Sequence, residues 1–281
     1  MAGQVAIVTG AGSYEDGVGN GRACAVRLAE AGARVVLVEI EEERARTTQE
    51  MIEAAGGVAV VEVADVSSVS DVSRLVESVT RRWDRVDVLV NNVGIAGPAG
   101  TVETVDMEAW SRCFEVNVTS MVLTSREVIP HMRRQGRGTI INMSSVAGLR
   151  GLSPAAAYST TKGAIVALSQ SMALAHGRDG IRVNVVAPGL VHTPMVSSGV
   201  DEAGRARRAA AGVLGTEGTA WDVADAVTFL AGPASRWITG SVLAVDGGLI
   251  GTTIPTDLPS AAGLGSTSGA PAASATSGGA S

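Results

Sequence analysis

Short runs of continuously apolar residues alternate with long amphipathic segments along most of this chain. The runs that predict strands are Val5–Thr9, Arg34–Val38, Ala59–Val63, Val86–Val90, Thr139–Met143, Arg182–Ala187 and Val242–Val245. The segments that predict helices are Gly21–Ala31, Glu42–Ala55, Val69–Trp83, Met107–Arg134, Ala156–His176 and Ala220–Leu230. Strands that are apolar on both faces belong in a sheet that is covered on both sides, and helices of crossover length between them favour parallel pairing. The sequence therefore predicts an α/β fold, a doubly wound parallel sheet of about seven strands with helices on both faces.

The character of the chain changes after Asp246-Gly247-Gly248. From Ile254 to Ser281 it consists mainly of Ala, Gly, Ser, Thr and Pro, with Asp257 as its one charged residue. Such a composition buries too little apolar surface to offset the loss of chain entropy on folding. We therefore expect a single domain over residues 1–253 and a flexible tail over residues 254–281.

Charge and composition exclude several classes of protein. The formal charge of −6 comes from 28 acidic and 22 basic residues, and it argues against a nucleic-acid binder. Cys24 and Cys113 are interpreted as reduced thiols, and the three histidines lack ligand-like spacing, so no metal site is expected. No apolar run reaches the roughly 18 residues that a membrane span needs, and no charged segment precedes Val5. We expect a cytoplasmic protein, with the cluster of Arg205, Arg207 and Arg208 forming a solvated helix face.

A glycine-rich turn follows the first predicted strand. Glycines such as Gly19 and Gly21, between a strand and a helix, let backbone amides approach a pyrophosphate at the helix N-terminus. The G-x-G-x-x-G pattern is incomplete, because Cys24 occupies its third glycine position. Eighteen residues after Gly21, Glu39 ends the second predicted strand. An acid there can accept hydrogen bonds from the adenosine ribose and repels a 2′-phosphate, which favours NAD over NADP; the alternative is an exposed acid that precedes the next helix.

Lys162 is the only lysine of the chain, and it lies four residues after Tyr158, one of only two tyrosines. This spacing places both side chains on one face of a predicted helix. A phenol with a pKa of about 10 can act as a base at neutral pH only if its anion is stabilised, and a nearby ammonium does so. The pair is therefore a candidate acid/base centre. The alternative is a packed tyrosine followed by an exposed lysine.

Several motifs in one order resemble the classical short-chain dehydrogenase/reductase family, over about residues 3–249. They are Thr9-Gly10, Gly19-Asn20-Gly21, Asn91-Asn92-Val93-Gly94, Asn117, Ser144-Ser145, Tyr158-Ser159-Thr160-Thr161-Lys162 and Pro188-Gly189. The resemblance implies a Rossmann-type fold of three αβα layers. It also implies an enzyme that uses a nicotinamide cofactor.

The resemblance implies roles for four catalytic residues. Tyr158 would be the acid/base that exchanges a proton with the substrate oxygen. Lys162 would lower the pKa of Tyr158 and bind the nicotinamide ribose. Ser145 would hydrogen-bond the substrate oxygen, with Ser144 as the neighbouring candidate. Asn117 would kink its helix and hold a water molecule that relays protons to Lys162.

The resemblance also implies a set of cofactor-binding residues. Asp65 and Val66 would contact the adenine, Asn91 and Gly94 would support the adenosine side and the central sheet, and the segment from Pro188 would line the nicotinamide. The full set is Gly10, Ser13, Gly19, Asn20, Gly21, Glu39, Asp65, Val66, Asn91, Gly94, Tyr158, Lys162, Pro188, Gly189, Val191 and Thr193.

The expected walls of the substrate pocket are mostly apolar. They are Ile95, Ser145, Val146, Ala147, Leu149, Leu190 and Met195. Such walls favour a hydrophobic or alicyclic secondary alcohol or ketone over a charged sugar. The segment Thr193–Gly212 resembles the mobile substrate lid of the family.

The phosphate loop departs from the family pattern. Eight residues separate Gly10 from Gly19, where the family usually has three. Tyr14–Val18 is therefore interpreted as an insertion, and because Glu15 and Asp16 would repel a pyrophosphate, we expect it to bulge outward. An alternative register uses Gly17-Val18-Gly19 as the phosphate-binding glycines.

Three functions remain open from the sequence. The leading hypothesis is an NAD-dependent oxidoreductase that interconverts a secondary alcohol and a ketone. The second is an NADPH-dependent ketoreductase acting on 3-oxoacyl groups of an acyl carrier protein, and the third is a non-catalytic dinucleotide sensor. Members of the family are usually homotetramers, so we expect a homotetramer or homodimer, with the apolar segment Ala156–Ala175 as a candidate interface.

Overall fold

The structure is a computed structural model that describes residues 1–13, 17–197 and 199–251. These residues belong to one compact unit, Met1–Gly251. The expectation for the tail over residues 254–281 lies outside the described residues, as do residues 14–16 of the outward bulge expected over Tyr14–Val18. Val18, the last residue of that segment, is described and packs against the hydrophobic core, so the bulge does not extend to it.

The centre of the described unit is a parallel sheet of seven strands in the order β3-β2-β1-β4-β5-β6-β9. Two further short strands, β7 and β8, pair with each other. The strands are β1 (Val5–Thr9), β2 (Arg34–Glu39), β3 (Val58–Val63), β4 (Val88–Asn91), β5 (Gly138–Met143), β6 (Ile181–Pro188), β7 (Val191–His192), β8 (Gly218–Thr219) and β9 (Val242–Val245). The chain winds outward in one direction from β1 and in the other from β4, so the predicted doubly wound, Rossmann-type sheet is confirmed.

Helices connect the strands and cover the sheet. They are α1 (Asn20–Glu30), α2 (Glu42–Ala54), α3 (Val69–Trp83), α4 (Met107–Phe114), α5 (Ser120–Gln135), α6 (Ala156–His176), α7 (Pro194–Ser197), α8 (Glu202–Ala211) and α9 (Ala220–Ala231). Local sequence begins several of them: Ser68 caps α3, and Thr219 with Asp222 forms a capping box at α9. The continuous helix predicted over Met107–Arg134 is wrong in one respect, because a π-helical turn, Glu115–Thr119, separates α4 from α5.

Two hydrophobic cores, one on each face of the sheet, account for the continuously apolar strands. Val8 packs into the core beneath α1 and α9, whereas its neighbour Ile7 packs into the core beneath α3 and α5. Successive strand residues point to opposite faces, so each strand contributes apolar side chains to both cores. Each fully buried aliphatic side chain contributes roughly 1.5–3 kcal/mol to the free energy of folding. The packed sheet is therefore stable, and it holds the loops at its edge in place.

Candidate active site

A cavity of about 420 Å³ opens along the edge of the sheet at which the parallel strands end. Its lining includes eighteen of the predicted site residues: Gly10, Ser13, Gly19, Asn20, Gly21, Glu39, Asp65, Val66, Gly94, Ile95, Ser145, Tyr158, Lys162, Pro188, Gly189, Val191, Thr193 and Met195. Six predicted residues do not line it: Asn91, Asn117, Val146, Ala147, Leu149 and Leu190. The sequence motifs thus converge on one cavity, although some of the expected substrate walls face elsewhere.

The turn between β1 and α1 forms a cradle of backbone at one end of the cavity. A Cβ atom on Gly21 would lie 1.9 Å from the carbonyl oxygen of Gly10, so only glycine fits there. Gly19 caps α1, and both Gly19 and Asn20 line the cavity. Gly17 instead lies against Pro194, where an added Cβ would meet Cγ at 2.3 Å. A helix N-terminus next to glycines that line the cavity fits a pyrophosphate, and it is the arrangement expected from the Gly19-Asn20-Gly21 register.

Glu39 lies in the cavity at the end of β2, with its carboxylate fixed by backbone amides. Its Oε2 accepts a hydrogen bond from the Gly12 amide at 3.1 Å, and its Oε1 accepts one from the Ile40 amide at 3.0 Å. The alternative of an exposed acid without a site is therefore wrong. A carboxylate held in this position can accept hydrogen bonds from ribose hydroxyls, and it repels a 2′-phosphate.

Arg44, in the first turns of α2, also lines the cavity. A Cβ on Gly12 would lie 2.6 Å from the Arg44 Cβ, so the phosphate loop packs directly on this arginine. The Arg44 guanidinium pairs with Glu41 at 2.7 Å. Sequence reasoning missed Arg44; the available signal was a basic residue shortly after the acid that ends β2.

Tyr158 and Lys162 project from α6 into the opposite end of the cavity. The Lys162 side chain is buried, with 4% of the residue exposed, and its Nζ donates a hydrogen bond to the Met143 carbonyl at 3.0 Å. The same nitrogen lies 5.6 Å from the centre of the Tyr158 ring. A packed tyrosine with an exposed lysine is therefore excluded as the interpretation of this pair.

Burial dominates the ionisation of both groups. Loss of solvation raises the pKa of Tyr158, which the hydrogen bond from Ser145 only partly offsets. Loss of solvation also lowers the pKa of Lys162 to about 8. In the protein alone the pKa of Tyr158 is therefore raised, because desolvation of the phenolate outweighs its hydrogen bond with Ser145, and the expectation that Lys162 lowers this pKa stays a prediction.

Two adjacent serines follow β5, and their hydroxyls have different partners. The Ser144 Oγ donates to the Lys162 carbonyl at 2.7 Å and thereby holds α6 against the sheet. Ser145 hydrogen-bonds the Tyr158 phenol, and its Oγ accepts from the Ala147 amide at 3.2 Å. Because Ser144 is engaged with the backbone, Ser145 is the serine that shares the reacting end of the cavity with Tyr158.

Asn117 lies beneath this end of the cavity, fully buried within the π-helical turn. Its Oδ1 accepts from the Ile95 amide at 2.7 Å, and its Nδ2 donates to the Ile95 carbonyl at 2.9 Å. The predicted kink is this extra turn of backbone, a feature that occurs frequently at functional sites. The predicted water relay through Asn117 stays a prediction.

Asn91 and Asn92, at the end of β4, form hydrogen bonds with different parts of the fold. The Asn91 Nδ2 donates to Asn142 at 2.8 Å within the sheet, which agrees with a supporting position behind the cavity. Asn92, which sequence reasoning did not assign, lines the cavity, and its Nδ2 donates to the carbonyls of Thr9 and Gly10 at 3.1 Å. The side chain of Asn92 therefore holds the phosphate loop against β4.

The segment after β6 contributes Val191, Thr193 and Met195 to the cavity, but Leu190 turns away. Leu190 instead lines a second cavity of about 370 Å³ beside α8. Val146, Ala147 and Leu149 lie in the turn after Ser145, outside the lining. These four residues do not line the cavity, so their assignment as substrate walls stays a prediction.

The arginines of α8 are not only a solvated face. Arg205 donates to Glu217 at 3.0 Å, and Arg208 both pairs with Glu217 and donates to the Val191 carbonyl at 3.1 Å. The Glu217 side chain is 6% exposed, and the two arginines lower its pKa against the opposing effect of burial. Helix α8 is thus held to β7 and to the residue before β8 by contacts that the sequence interpretation missed.

Among the described residues, no three His, Cys, Asp or Glu side chains are arranged as metal ligands. Within the same part of the chain, no helix combines the length and the apolar character that crossing a membrane requires.

Comparisons with known proteins agree with this fold. A family model described as enoyl-(acyl carrier protein) reductase matches residues 15–250. The 2-(R)-hydroxypropyl-CoM dehydrogenase of Xanthobacter autotrophicus is 39% identical over 87% of this chain and 97% of its own length. The cis-4-hydroxycyclohexanecarboxylate dehydrogenase of Sinomonas cyclohexanicum is 37% identical over 88% of this chain and 97% of its own length.

Two solved structures extend the comparison to cofactor complexes. A 7α-hydroxysteroid dehydrogenase complexed with NADH and 7-oxo glycochenodeoxycholic acid has a TM-score of 0.82 at 32% identity, covering 88% of this chain and 94% of that chain. A variant of actinorhodin polyketide ketoreductase with NADPH has a TM-score of 0.83 at 35% identity, covering 89% of this chain and 99% of that chain. This protein therefore belongs to the classical short-chain dehydrogenase/reductase family and is an oxidoreductase of that type.

Proposed function

We propose that this protein is an NAD-dependent dehydrogenase that interconverts a hydrophobic, alicyclic secondary alcohol and the corresponding ketone. The observation that carries the proposal is the convergence of Ser145, Tyr158 and Lys162 at one end of a cavity whose other end contains Glu39. Relatives named for cyclohexane and steroid substrates support an alicyclic alcohol, as does the apolar character of Ile95 and Met195.

The residues of this chain fit a nicotinamide dinucleotide. The Gly21 position admits no side chain beside Gly10, Glu39 presents a fixed carboxylate, and the surface between them is continuous along the strand ends. When bound in oxidised form, the cofactor supplies a hydride acceptor and a positive charge. Gly10, Gly19, Asn20 and Gly21 would hold its phosphates, and the residues from Pro188 onward would hold its nicotinamide.

The proton of the reaction is handled by side chains of this chain. In alcohol oxidation the hydroxyl proton would pass to the Tyr158 phenolate oxygen, and the carbinol carbon would give up its hydride to the acceptor that the bound cofactor supplies, which leaves a ketone and a neutral phenol. Ser145 hydrogen-bonds the substrate oxygen and fixes its distance from Tyr158. The Lys162 ammonium lies behind the phenol and favours its anion, against the opposing effect of burial on the pKa of Tyr158.

A panel of secondary alcohols, assayed with NAD by the absorbance of NADH, tests this function. We expect turnover of cyclic alcohols, and we expect Tyr158→Phe to lower kcat by about 10²- to 10⁴-fold, the usual contribution of a positioned acid/base. As a control, this variant should still bind NAD, because the phosphate loop and Glu39 are unchanged. Full turnover by Tyr158→Phe would contradict the mechanism.

The second candidate is an NADPH-dependent ketoreductase, and Arg44 is the observation in its favour. This arginine lines the cavity beside Glu39, where a cation could attract a 2′-phosphate. The Glu39 carboxylate binds the Gly12 amide of the phosphate loop, whereas the Arg44 guanidinium pairs with Glu41, so we propose that the repulsion by Glu39 prevails. A higher kcat/KM with NADPH than with NADH in the wild-type protein would favour the second candidate.

Self-association is part of the proposal. Leu174, near the end of α6, is 87% exposed, and Trp237 is 91% exposed. The two segments approach each other where Ala173 lies 3.6 Å from the position of a Cβ on Gly240. We propose that a second copy of this chain covers these side chains in a homotetramer.

A further inference from the structure

Thr161 lies between the asparagine of the π-helical turn and the helical turn that carries the acid/base pair. It is fully buried, and its Oγ1 accepts a hydrogen bond from the Asn117 Nδ2 at 3.0 Å. The same hydroxyl donates to the Tyr158 carbonyl at 2.8 Å. A single side chain therefore joins Asn117 to the residue that bears the phenol.

Among the described neighbours of Asn117, no other group could fully replace the Thr161 hydroxyl as a hydrogen-bond acceptor. The two Nδ2 hydrogens of Asn117 are directed to the Ile95 carbonyl at 2.9 Å and to Thr161, and the further neighbour is the Cys113 Sγ at 3.4 Å. Sulfur is a weak acceptor, and burial raises the pKa of Cys113, which keeps it a neutral thiol. A side chain without an acceptor at position 161 would thus leave a buried amide hydrogen poorly satisfied.

Asn117 connects Thr161 to the wall of the cavity by hydrogen bonds with the backbone. Its amide group forms two hydrogen bonds with the backbone of Ile95, at 2.7 and 2.9 Å. The neighbouring residue, Gly94, lies close to both partners, since a Cβ there would be 3.3 Å from the Lys162 Nζ and 3.4 Å from the Asn117 Oδ1. A displaced Asn117 would therefore move the Gly94–Ile95 backbone relative to Lys162.

We propose that Thr161 is a positioning residue that couples the Asn117 amide to the turn between Tyr158 and Lys162 and thereby fixes the Gly94–Ile95 wall of the reacting end. Thr161 does not line the cavity, so it acts through Asn117 and Tyr158 and does not touch the substrate. The kinetic part of this inference rests on the proposed function. Its structural part does not.

The test compares three variants of adjacent threonines. Thr161→Val removes the hydroxyl at nearly constant volume, and Thr161→Ser restores it. Thr160→Val is the matched control, because Thr160 is exposed on the same helix and its Oγ1 donates only to the Ala156 carbonyl, at 2.8 Å, among the contacts that the structure describes. The first measurement is hydrogen exchange at the Ile95 amide, whose acceptor is the Asn117 Oδ1.

In Thr161→Val we expect exchange at the Ile95 amide to accelerate about tenfold, the effect of a hydrogen-bond loss near 1.4 kcal/mol. Thr161→Ser and Thr160→Val should match the wild-type protein. In the alcohol assay, kcat of Thr161→Val should fall by about the same factor while the KM for NAD stays within about twofold, since the adenosine end is remote from Thr161.

Each outcome decides the inference. Unchanged exchange at Ile95 in a folded Thr161→Val, or equal effects of Thr161→Val and Thr160→Val, would overturn it. So would a loss of activity that Thr161→Ser fails to restore. If the wild-type protein oxidised no alcohol, the proposed function would fail, and the exchange measurement would still decide the positioning role of Thr161.

Discussion

At the scale of the residue, Lys162 shows that a buried charged group of the candidate site lowers the stability of the fold. An ammonium that is almost fully buried loses hydration, and its hydrogen bond to the Met143 carbonyl recovers only part of that loss. The consequence is a pKa lowered from 10.5 to about 8. The unfolded chain therefore holds this proton more tightly than the folded protein does, and at neutral pH the folded state bears the full cost of the buried charge.

Lys162→Met should therefore stabilise the protein without cofactor at neutral pH, although it removes a proposed catalytic residue. A shift from 10.5 to about 8 corresponds to up to about 3 kcal/mol. Between these two pH values the unfolded state binds more protons, so the stability of the wild-type protein rises with pH and the advantage of the variant shrinks. We expect thermal unfolding to show a Tm raised by up to about 10 °C at pH 7 and little difference near pH 10.5.

The titration of Cys24 does not confuse this comparison. Burial raises the pKa of the Cys24 thiol to about 12, which lowers stability at alkaline pH. Both proteins contain Cys24, so its effect cancels in the difference between their Tm values. A variant that is less stable than the wild-type protein at pH 7, or a difference that widens toward pH 10, would contradict the assignment of a buried ammonium.

At the scale of the element, the strands and helices predicted most accurately are those whose bounds depend on the local pattern of apolar residues. Strands β1 and β9 and helices α3 and α6 have the predicted bounds, because apolar runs and helical spacing are local properties. The π-helical turn, by contrast, depends on hydrogen bonds of Asn117 with Ile95, 22 residues away. Helix α8 and strand β8 depend on the pairing of Arg208 with Glu217, which no periodicity shows.

The same distinction applies to the candidate site. Tyr158, Lys162 and Glu39 could be located because each lies at a fixed offset from a strand or within a helix. Leu190 and Ala147 do not line the cavity as expected, since the direction of a side chain in an irregular turn depends on backbone angles that the sequence does not reveal. Arg44 was missed because its approach to Gly12 results from the packing of α2 on the phosphate loop.

The turn between β1 and α1 gives a prediction at this scale. Gly21→Ala would place a Cβ 1.9 Å from the Gly10 carbonyl oxygen, a contact with backbone that cannot rotate away. Gly19→Ala is the matched control, because its Cβ would meet no described atom closer than 3.4 Å and its φ of −84° suits any residue. Overpacking of this kind costs about 1–3 kcal/mol, so we expect Tm to fall by roughly 2–12 °C in Gly21→Ala.

Binding of NAD provides the second measurement on these two variants. Displacement of the Gly10 backbone should weaken NAD binding in Gly21→Ala, measured by titration calorimetry. A Gly21→Ala protein with wild-type Tm and wild-type affinity would show that the phosphate loop does not pass between Gly10 and Gly21 as described. A large fall in the Tm of Gly19→Ala would lead to the same conclusion.

At the scale of the whole molecule, the cavity follows from the topology of the sheet. The chain leaves β1 toward one edge and β4 toward the other, so the loops after these neighbouring strands diverge and leave a crevice between them. Gly10 lies after β1 and Gly94 after β4, on the two sides of this crevice. The fold thus places the proposed cofactor across the switch point, and it leaves the outer surface of α6 and the segment after α9 free for contacts between subunits.

That outer surface carries the last prediction. Leu174 and Trp237, with 87% and 91% exposure, are large apolar side chains that a monomer would leave in water. If a second copy covers them in a homotetramer, light scattering should give a mass near 114 kDa, four times the 28.4 kDa of one chain.

Trp237→Glu or Leu174→Glu would bury a carboxylate in the interface and should reduce the mass to that of a dimer or monomer. Val69→Glu is the control, because Val69 is an apolar residue that is 54% exposed at the start of a different helix, α3. A monomeric wild-type protein, or equal masses for Trp237→Glu, Leu174→Glu and the wild type, would contradict an interface on this surface.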